Sequence, residues 1–148
     1  MSVLSSQSIW ARRAMLAPMK LKYKLNGLSG GLGSASYDVA IAETIIMWPG
    51  RFKLASTIEK FYMPHDLCAT VHDKSTWARR GLCCQTTFID PGWEGYLTLE
   101  LTLHSFRFFR ILAGTPIAQI VFHMLDKYTN LPYSGKYQHQ EQGAQSAR

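Results

Sequence analysis

The longest regular pattern in the chain is Tyr96 to His104, Tyr-Leu-Thr-Leu-Glu-Leu-Thr-Leu-His, which alternates polar and apolar residues without a break. A period of two predicts a strand with Leu97, Leu99, Leu101 and Leu103 on one face. The other face carries Tyr96, Thr98, Glu100, Thr102 and His104. Shorter runs of the same kind surround it. Tyr37 to Ile41 alternates, Thr44 to Trp48 is rich in β-formers and stops at Pro49-Gly50, and Phe52 to Thr57 alternates again. Cys68 to Val71, Leu82 to Ile89, Phe106 to Leu112 and Ile117 to Leu125 complete the set, with Asp90-Pro91-Gly92 closing the run that ends at Ile89. Many short strands joined by regular turns predict an all-β fold, a barrel or a double-sheet jelly roll.

Three stretches depart from that pattern. Near the start, Ser5, Ser6 and Ser8 offer capping oxygens, and Ile9, Trp10, Ala14 and Leu16 recur at helical spacing until Pro18, which predicts one short helix. Asn26 to Ser36 holds Gly27, Gly30, Gly31 and Gly33. It reads as a flexible connection, since no clear helix and no Walker lysine follow to make it a phosphate loop. Tyr133 to Arg148 is polar and glutamine-rich, the composition of a frayed terminus. No fixed-period repeat is present.

Composition narrows the picture. At 47% hydrophobic and 18% charged, 148 residues form one domain with a real core. The net charge of +6 suits a nucleotide-type anion or a merely soluble basic surface, and charge alone does not choose. Cys68, Cys83 and Cys84 are an odd count, and neighbours on a strand face opposite ways, so they read as reduced intracellular thiols. No apolar run is long enough to span a membrane, and Arg12 and Arg13 follow Ile9 and Trp10 in the wrong order for a secretory signal. A cytoplasmic protein is expected.

Three blocks carry candidate chemistry. In Lys74-Ser75-Thr76-Trp77-Ala78-Arg79-Arg80-Gly81-Leu82, a helical turn would put Ser75 and Arg79 on one face, where hydroxyl and guanidinium could hold phosphate. A capped surface helix with solvated charges explains the same spacing. Ile89-Asp90-Pro91-Gly92-Trp93 is turn chemistry, with Trp93 either in the core or stacked on a ligand ring. Glu100 is either an outward, solvated residue or part of a polar pocket wall, and periodicity does not separate the two.

Taken in order, K-S-T-W-A-R-R-G-L, I-D-P-G-W-E-G and L-T-L-E-L resemble the dCTP deaminases of the trimeric dUTPase superfamily. Ser34 to Val39, Pro49 to Glu59, Met63 to Leu67 and Gly135 to Gln140 extend the likeness over nearly the whole chain. The resemblance implies a dUTPase-like distorted β-barrel with a short N-terminal helix, residues 1–148 as a single domain, and 133–148 as a mobile C-terminal lid. It implies hydrolytic deamination of dCTP to dUTP and ammonia in pyrimidine deoxynucleotide metabolism, by a homotrimer whose three sites each cross a subunit interface. Carried over by position, Glu100 is the catalytic carboxylate, with Ser75 and Arg79 around the triphosphate and the attacking water. Lys74, Thr76, Trp77 and Ala78 belong to the same phosphate-side block. Asp90 contacts the deoxyribose, Thr98, Leu99 and Glu100 read the pyrimidine, and Lys136 and Gln140, with Tyr133, close over the phosphates. Two departures stand out. Lys74 occupies a usual arginine position and lacks the bidentate fork, and Cys83 to Phe88 is shorter than in longer members of the family.

The nearest rival is a dUTPase, in which Asp90 would serve equally well. Glu100, and a tail without a glycine-rich, Phe-containing end, favour the deaminase. A bifunctional enzyme making dUMP is a further alternative. So is a non-catalytic nucleotide-binding regulator, though it would have no need of the carboxylate. Nucleic acid is not an expected partner, because aromatics are not interleaved with cations along one strand. Zinc is not expected either: the histidines and cysteines lack the H-x-E and C-x-x-C spacing of zinc-dependent cytosine deaminases. Magnesium would arrive with the triphosphate. A strong zinc chelator should therefore leave deamination intact while magnesium is supplied, and stoichiometric zinc whose removal abolishes activity would contradict that expectation.

Overall fold

The computed structural model describes residues 2–148. In chain order its elements are β1 (Ser2–Val3), α1 (Ser6–Ala11), β2 (Leu16–Ala17), β3 (Tyr23–Leu25), β4 (Leu28–Leu32), β5 (Tyr37–Ala40), β6 (Ile45–Met47), β7 (Phe52–Tyr62), β8 (Leu67–Asp73), α2 (Ser75–Ala78), β9 (Leu82–Cys84), β10 (Phe88–Ile89), β11 (Glu94–Leu103), β12 (Phe109–Ile111) and β13 (Pro116–Met124). One sheet runs β10-β8-β13-β5-β4-β3, with β1 also on β13. A second runs β2-β7-β11-β9, and β12 pairs with β6. Every pairing between these strands is antiparallel.

The alternation along β11 is kept. Leu97, Leu99, Leu101 and Leu103 are buried with Phe61, Leu67, Ile120 and Phe122 in one hydrophobic core. β5 is buried at every position, because neighbouring elements cover both of its faces. The N-terminal helix is shorter than expected: α1 ends at Ala11, and Arg13–Met15 is a 3₁₀ turn. Ser5 caps it through its backbone carbonyl to Ile9 N, while its hydroxyl lies against that of Ser8.

The glycine-rich stretch is not a flexible connection. Asn26 and Gly27 both have positive φ, 50° and 79°, and join β3 to β4 with Leu25 opposite Leu28. Two consecutive positive-φ residues in a two-residue loop are what an Asn-Gly hairpin supplies. Gly30 lets β3 lie close, since a Cβ there would sit 2.4 Å from the Tyr23 ring.

The run from Leu82 to Ile89 is two strands rather than one. β9 pairs with β11 and β10 pairs with β8, so Gln85 to Thr87 carry the chain from one sheet to the other.

β7 contains a bulge that ties the sheets together. Between the pairs Tyr96–Lys60 and Thr98–Ser56, Thr57, Ile58 and Glu59 stand against Leu97 alone. Leu97 N–H donates to Thr57 Oγ1 at 3.1 Å, which satisfies the donor the bulge displaces. Glu59 turns inward and accepts the Ala40 N–H of β5 at 3.1 Å. It is 3% exposed, and burial pushes its carboxyl up to about 7, with only partial relief from the Ala40 bond.

The folded protein thus holds the Glu59 proton more tightly than the unfolded chain does. The resulting stability is complete below about pH 4.5 and is lost as pH rises to about 7. Its size is on the order of 3 kcal/mol. Glu59→Gln keeps an acceptor for Ala40 and removes the titration. Urea denaturation across that pH window should show a flatter profile for the variant, and parallel profiles would contradict the assignment.

Candidate active site

Asp90, Pro91, Gly92 and Trp93 form a tight turn between β10 and β11. Trp93 N–H donates to Asp90 O at 3.2 Å, and Gly92 at φ 81° takes the position where a type II turn requires positive φ. Trp93 is buried against Phe61, with ring centroids 5.9 Å apart, and donates its indole N–H to Tyr137 O at 2.8 Å. The turn therefore anchors the tail as well as the strand.

A cavity of about 430 Å³ opens beside this turn, with Asp90, Trp93, Thr98, Glu100, Tyr133 and Gln140 in its wall. Leu54, Thr87 and Phe88 add apolar and hydroxyl surface. Residues scattered from 52 to 147 thus meet in one place, among them Asp90, Thr98, Glu100, Tyr133 and Gln140 of the expected set. Leu99, on the opposite face of β11, is wholly buried in the core.

Glu100 stands out in this cavity as an unpaired carboxyl. No cation contacts it, and its Oε2 is buried without a hydrogen-bond partner among the described residues. Burial disfavours the charged form and raises its pKa above the ordinary glutamate value. A carboxyl that is half-buried, unpaired and displaced toward neutrality suits proton transfer.

The 74–79 block is placed elsewhere. Lys74 is buried, and its ammonium lies 2.7 Å from Asp38 Oδ2 and 3.1 Å from Ser29 Oγ, so it braces β5 and β4 rather than facing this cavity. Trp77 is also buried, donating to Pro116 O at 2.9 Å and lying edge-on to Phe109. Ser75, Ala78 and Arg79 share the exposed side of the turn, Thr76 is half-buried, and none of the four lines the cavity. The two residues expected to form a hydroxyl–guanidinium face, Ser75 and Arg79, are both exposed, and neither lines the cavity that holds this chain's Glu100.

A second cavity, about 740 Å³, opens around Asp38, Gln119 and the glycine-rich hairpin. Asp38 also has a buried, unpartnered oxygen, and burial raises its pKa. Its other oxygen, however, is held by Lys74, and a fixed cation opposes the protonation that a shuttle needs. Proton chemistry therefore favours the Glu100 cavity. Among the described residues no three His, Cys, Asp or Glu side chains gather as a metal-binding group, and no helix is long and apolar enough to cross a membrane.

The tail departs from its composition. Gln138 accepts from Glu94 N and donates to Gly92 O, and Tyr96 N donates to Gln140 O. Gln140 is buried, its amide on β11 rather than free for phosphate. Lys136 is exposed and bonds to the Arg148 carbonyl, outside the cavity wall. Gln145, Ser146 and Ala147 line the cavity, and composition offered no signal for them.

A family model described as dCTP deaminase-like matches residues 32–125. A protein named dCTP deaminase, dUMP-forming, from Methanoculleus marisnigri is 37% identical over 111 residues, which are 72% of this chain and 59% of that protein. A dCTP deaminase from Herpetosiphon aurantiacus is 39% identical over 102 residues, 67% of this chain and 55% of that protein. The matched part is thus less than two thirds of either relative. Among solved structures, 2'-deoxycytidine 5'-triphosphate deaminase from Agrobacterium tumefaciens superposes with a TM-score of 0.67 at 15% identity, covering 82% of this chain and 47% of that one. EIAV dUTPase does so with 0.60 at 20%, covering 82% and 98%. These two likenesses show a common fold.

The different settings of Lys74 and Arg79 have a measurable consequence. Lys74→Met strands a buried carboxylate and should cost about 3–5 kcal/mol in urea denaturation. Arg79→Ala should stay within about 0.5 kcal/mol. Equal effects would contradict this division between structural and free cations.

Proposed function

The chain belongs to the dCTP deaminase-like family, and from that membership we propose that it hydrolyses dCTP to dUTP and ammonia. The observation that carries this reading is Glu100: a half-buried carboxyl in the cavity wall, with one oxygen free of any partner among the described residues. In the proposed reaction Glu100 accepts a proton from water as the water oxygen bonds to C4, and it passes that proton to N3. It then relays the hydroxyl proton to the amino group. The C4–N bond breaks, C4 becomes a carbonyl, ammonia leaves, and Glu100 is again ionised.

The other residues take roles around that step. Asp90, at the mouth of the turn, accepts from the deoxyribose hydroxyl. Thr98 and the apolar wall at Leu54 and Phe88 take the pyrimidine. Ser75 and Arg79 supply the triphosphate contacts from a second copy, because their exposed face does not reach this chain's own cavity. A homotrimer with sites shared between subunits meets that requirement. The zinc-free course rests on the spacing of histidines and cysteines, and magnesium enters as part of the substrate.

A second reading, in which dUTP is retained and cleaved to dUMP and pyrophosphate, is favoured by one observation: several relatives, including that from Methanoculleus marisnigri, are named as dUMP-forming. Identifying the nucleotide and the phosphate product after incubation with dCTP separates the two.

Glu100→Gln is nearly isosteric and leaves the leucine face of β11 in place. Deamination should fall about 10²–10⁴-fold, while nucleotide binding changes far less. A variant that deaminates dCTP at the original rate would remove Glu100 from the mechanism.

A further inference from the structure

Thr98 lies two residues from Glu100 on the same face of β11, buried in the cavity wall. Its hydroxyl oxygen has two lone pairs and one O–H. Two donors from the tail converge on it, Gln140 Nε2 at 3.1 Å and the Gln145 backbone N–H at 3.3 Å. Neither can reverse its role. A backbone N–H only donates. The Gln140 amide is fixed because the same nitrogen lies 2.8 Å from the Tyr96 carbonyl, and a flipped amide would set two acceptor oxygens against each other.

With both lone pairs occupied, Thr98 has only its O–H to offer. We propose that Thr98 is a specificity-determining donor to O2 of the pyrimidine ring, with Gln140 and Gln145 as the residues that position it. This rests on the deaminase reading and deepens it. Glu100 serves N3 and the leaving amino group, and O2 is the next acceptor along the same ring edge. A donor at O2 also withdraws electron density from the ring and makes C4 a better electrophile. Gln140 thus acts through Thr98 rather than on the phosphates. The tail fixes the polarity of the base pocket.

The test compares dCTP with 2-thio-dCTP, whose sulfur accepts hydrogen bonds poorly, on the full chain. Thr98→Val should lower kcat/KM for dCTP about tenfold, the value of one buried hydrogen bond. It should lower kcat/KM for the thio analogue much less, because that contact is already weakened. Thr98→Ser should restore the preference for dCTP, and Gln140→Met, which frees a lone pair, should reduce it. Equal losses on both nucleotides for Thr98→Val, or none, would overturn the assignment while leaving deamination by Glu100 in place. Unmodified protein that deaminates neither nucleotide would overturn the functional reading and this inference with it.

Discussion

The two-residue period of β11 ties the hydrophobic core to the candidate cavity. Leu97, Leu99, Leu101 and Leu103 fill the interior, and the same backbone presents Thr98 and Glu100 to the cavity. A slip of one residue would bury the carboxylate and expose the leucines, so the core sets which side chains face the cavity. Each neighbouring element reinforces that register. β7 supplies the Thr57 hydroxyl where its bulge displaces a ladder bond, and β9 pairs Leu101 with Cys84. The Asp90–Trp93 turn fixes where β11 begins.

The sequence made some features plain and concealed others, for physical reasons. β11 was legible because one face is apolar and the other polar, and that difference is what a period of two records. β5 offered a weaker pattern, since neighbouring elements cover both of its faces. The break between β9 and β10 was hidden because all of Leu82 to Ile89 reads as β-forming, and only tertiary pairing decides which sheet each half joins. The Asn26-Gly27 hairpin had a readable signal, two consecutive positive-φ formers between strand-like runs, masked by the glycines around it.

The candidate site divides in the same way. Asp90 and Glu100 were marked by turn chemistry and by a carboxylate on a strand, and the fold brings them to one cavity. Lys74 and Trp77 share their segment with Ser75 and Arg79, but helical spacing alternates the faces of a single turn. The cation that suits phosphate by type is instead the partner of Asp38. The tail looked frayed because its contacts are polar and long-range. Gln138 and Gln140 dock through backbone groups of β11 and its turn, which no local pattern announces. Its effect is to enclose Glu100, and enclosure is what shifts a carboxyl toward neutrality.

The proposed role of Glu100, exchanging a proton at the edge of the pyrimidine, depends on how its carboxyl titrates. Carbon-13 NMR of the glutamate side-chain carboxyls, assigned at position 100 by comparison with Glu100→Gln, measures its titration directly. The midpoint should lie clearly above the ordinary glutamate value of about 4.3, with an acidic limb in the pH–rate profile for dCTP at that same midpoint, since protonated Glu100 cannot accept from water. A Glu100 that titrates at the ordinary value, or an acidic limb unrelated to its midpoint, would contradict it.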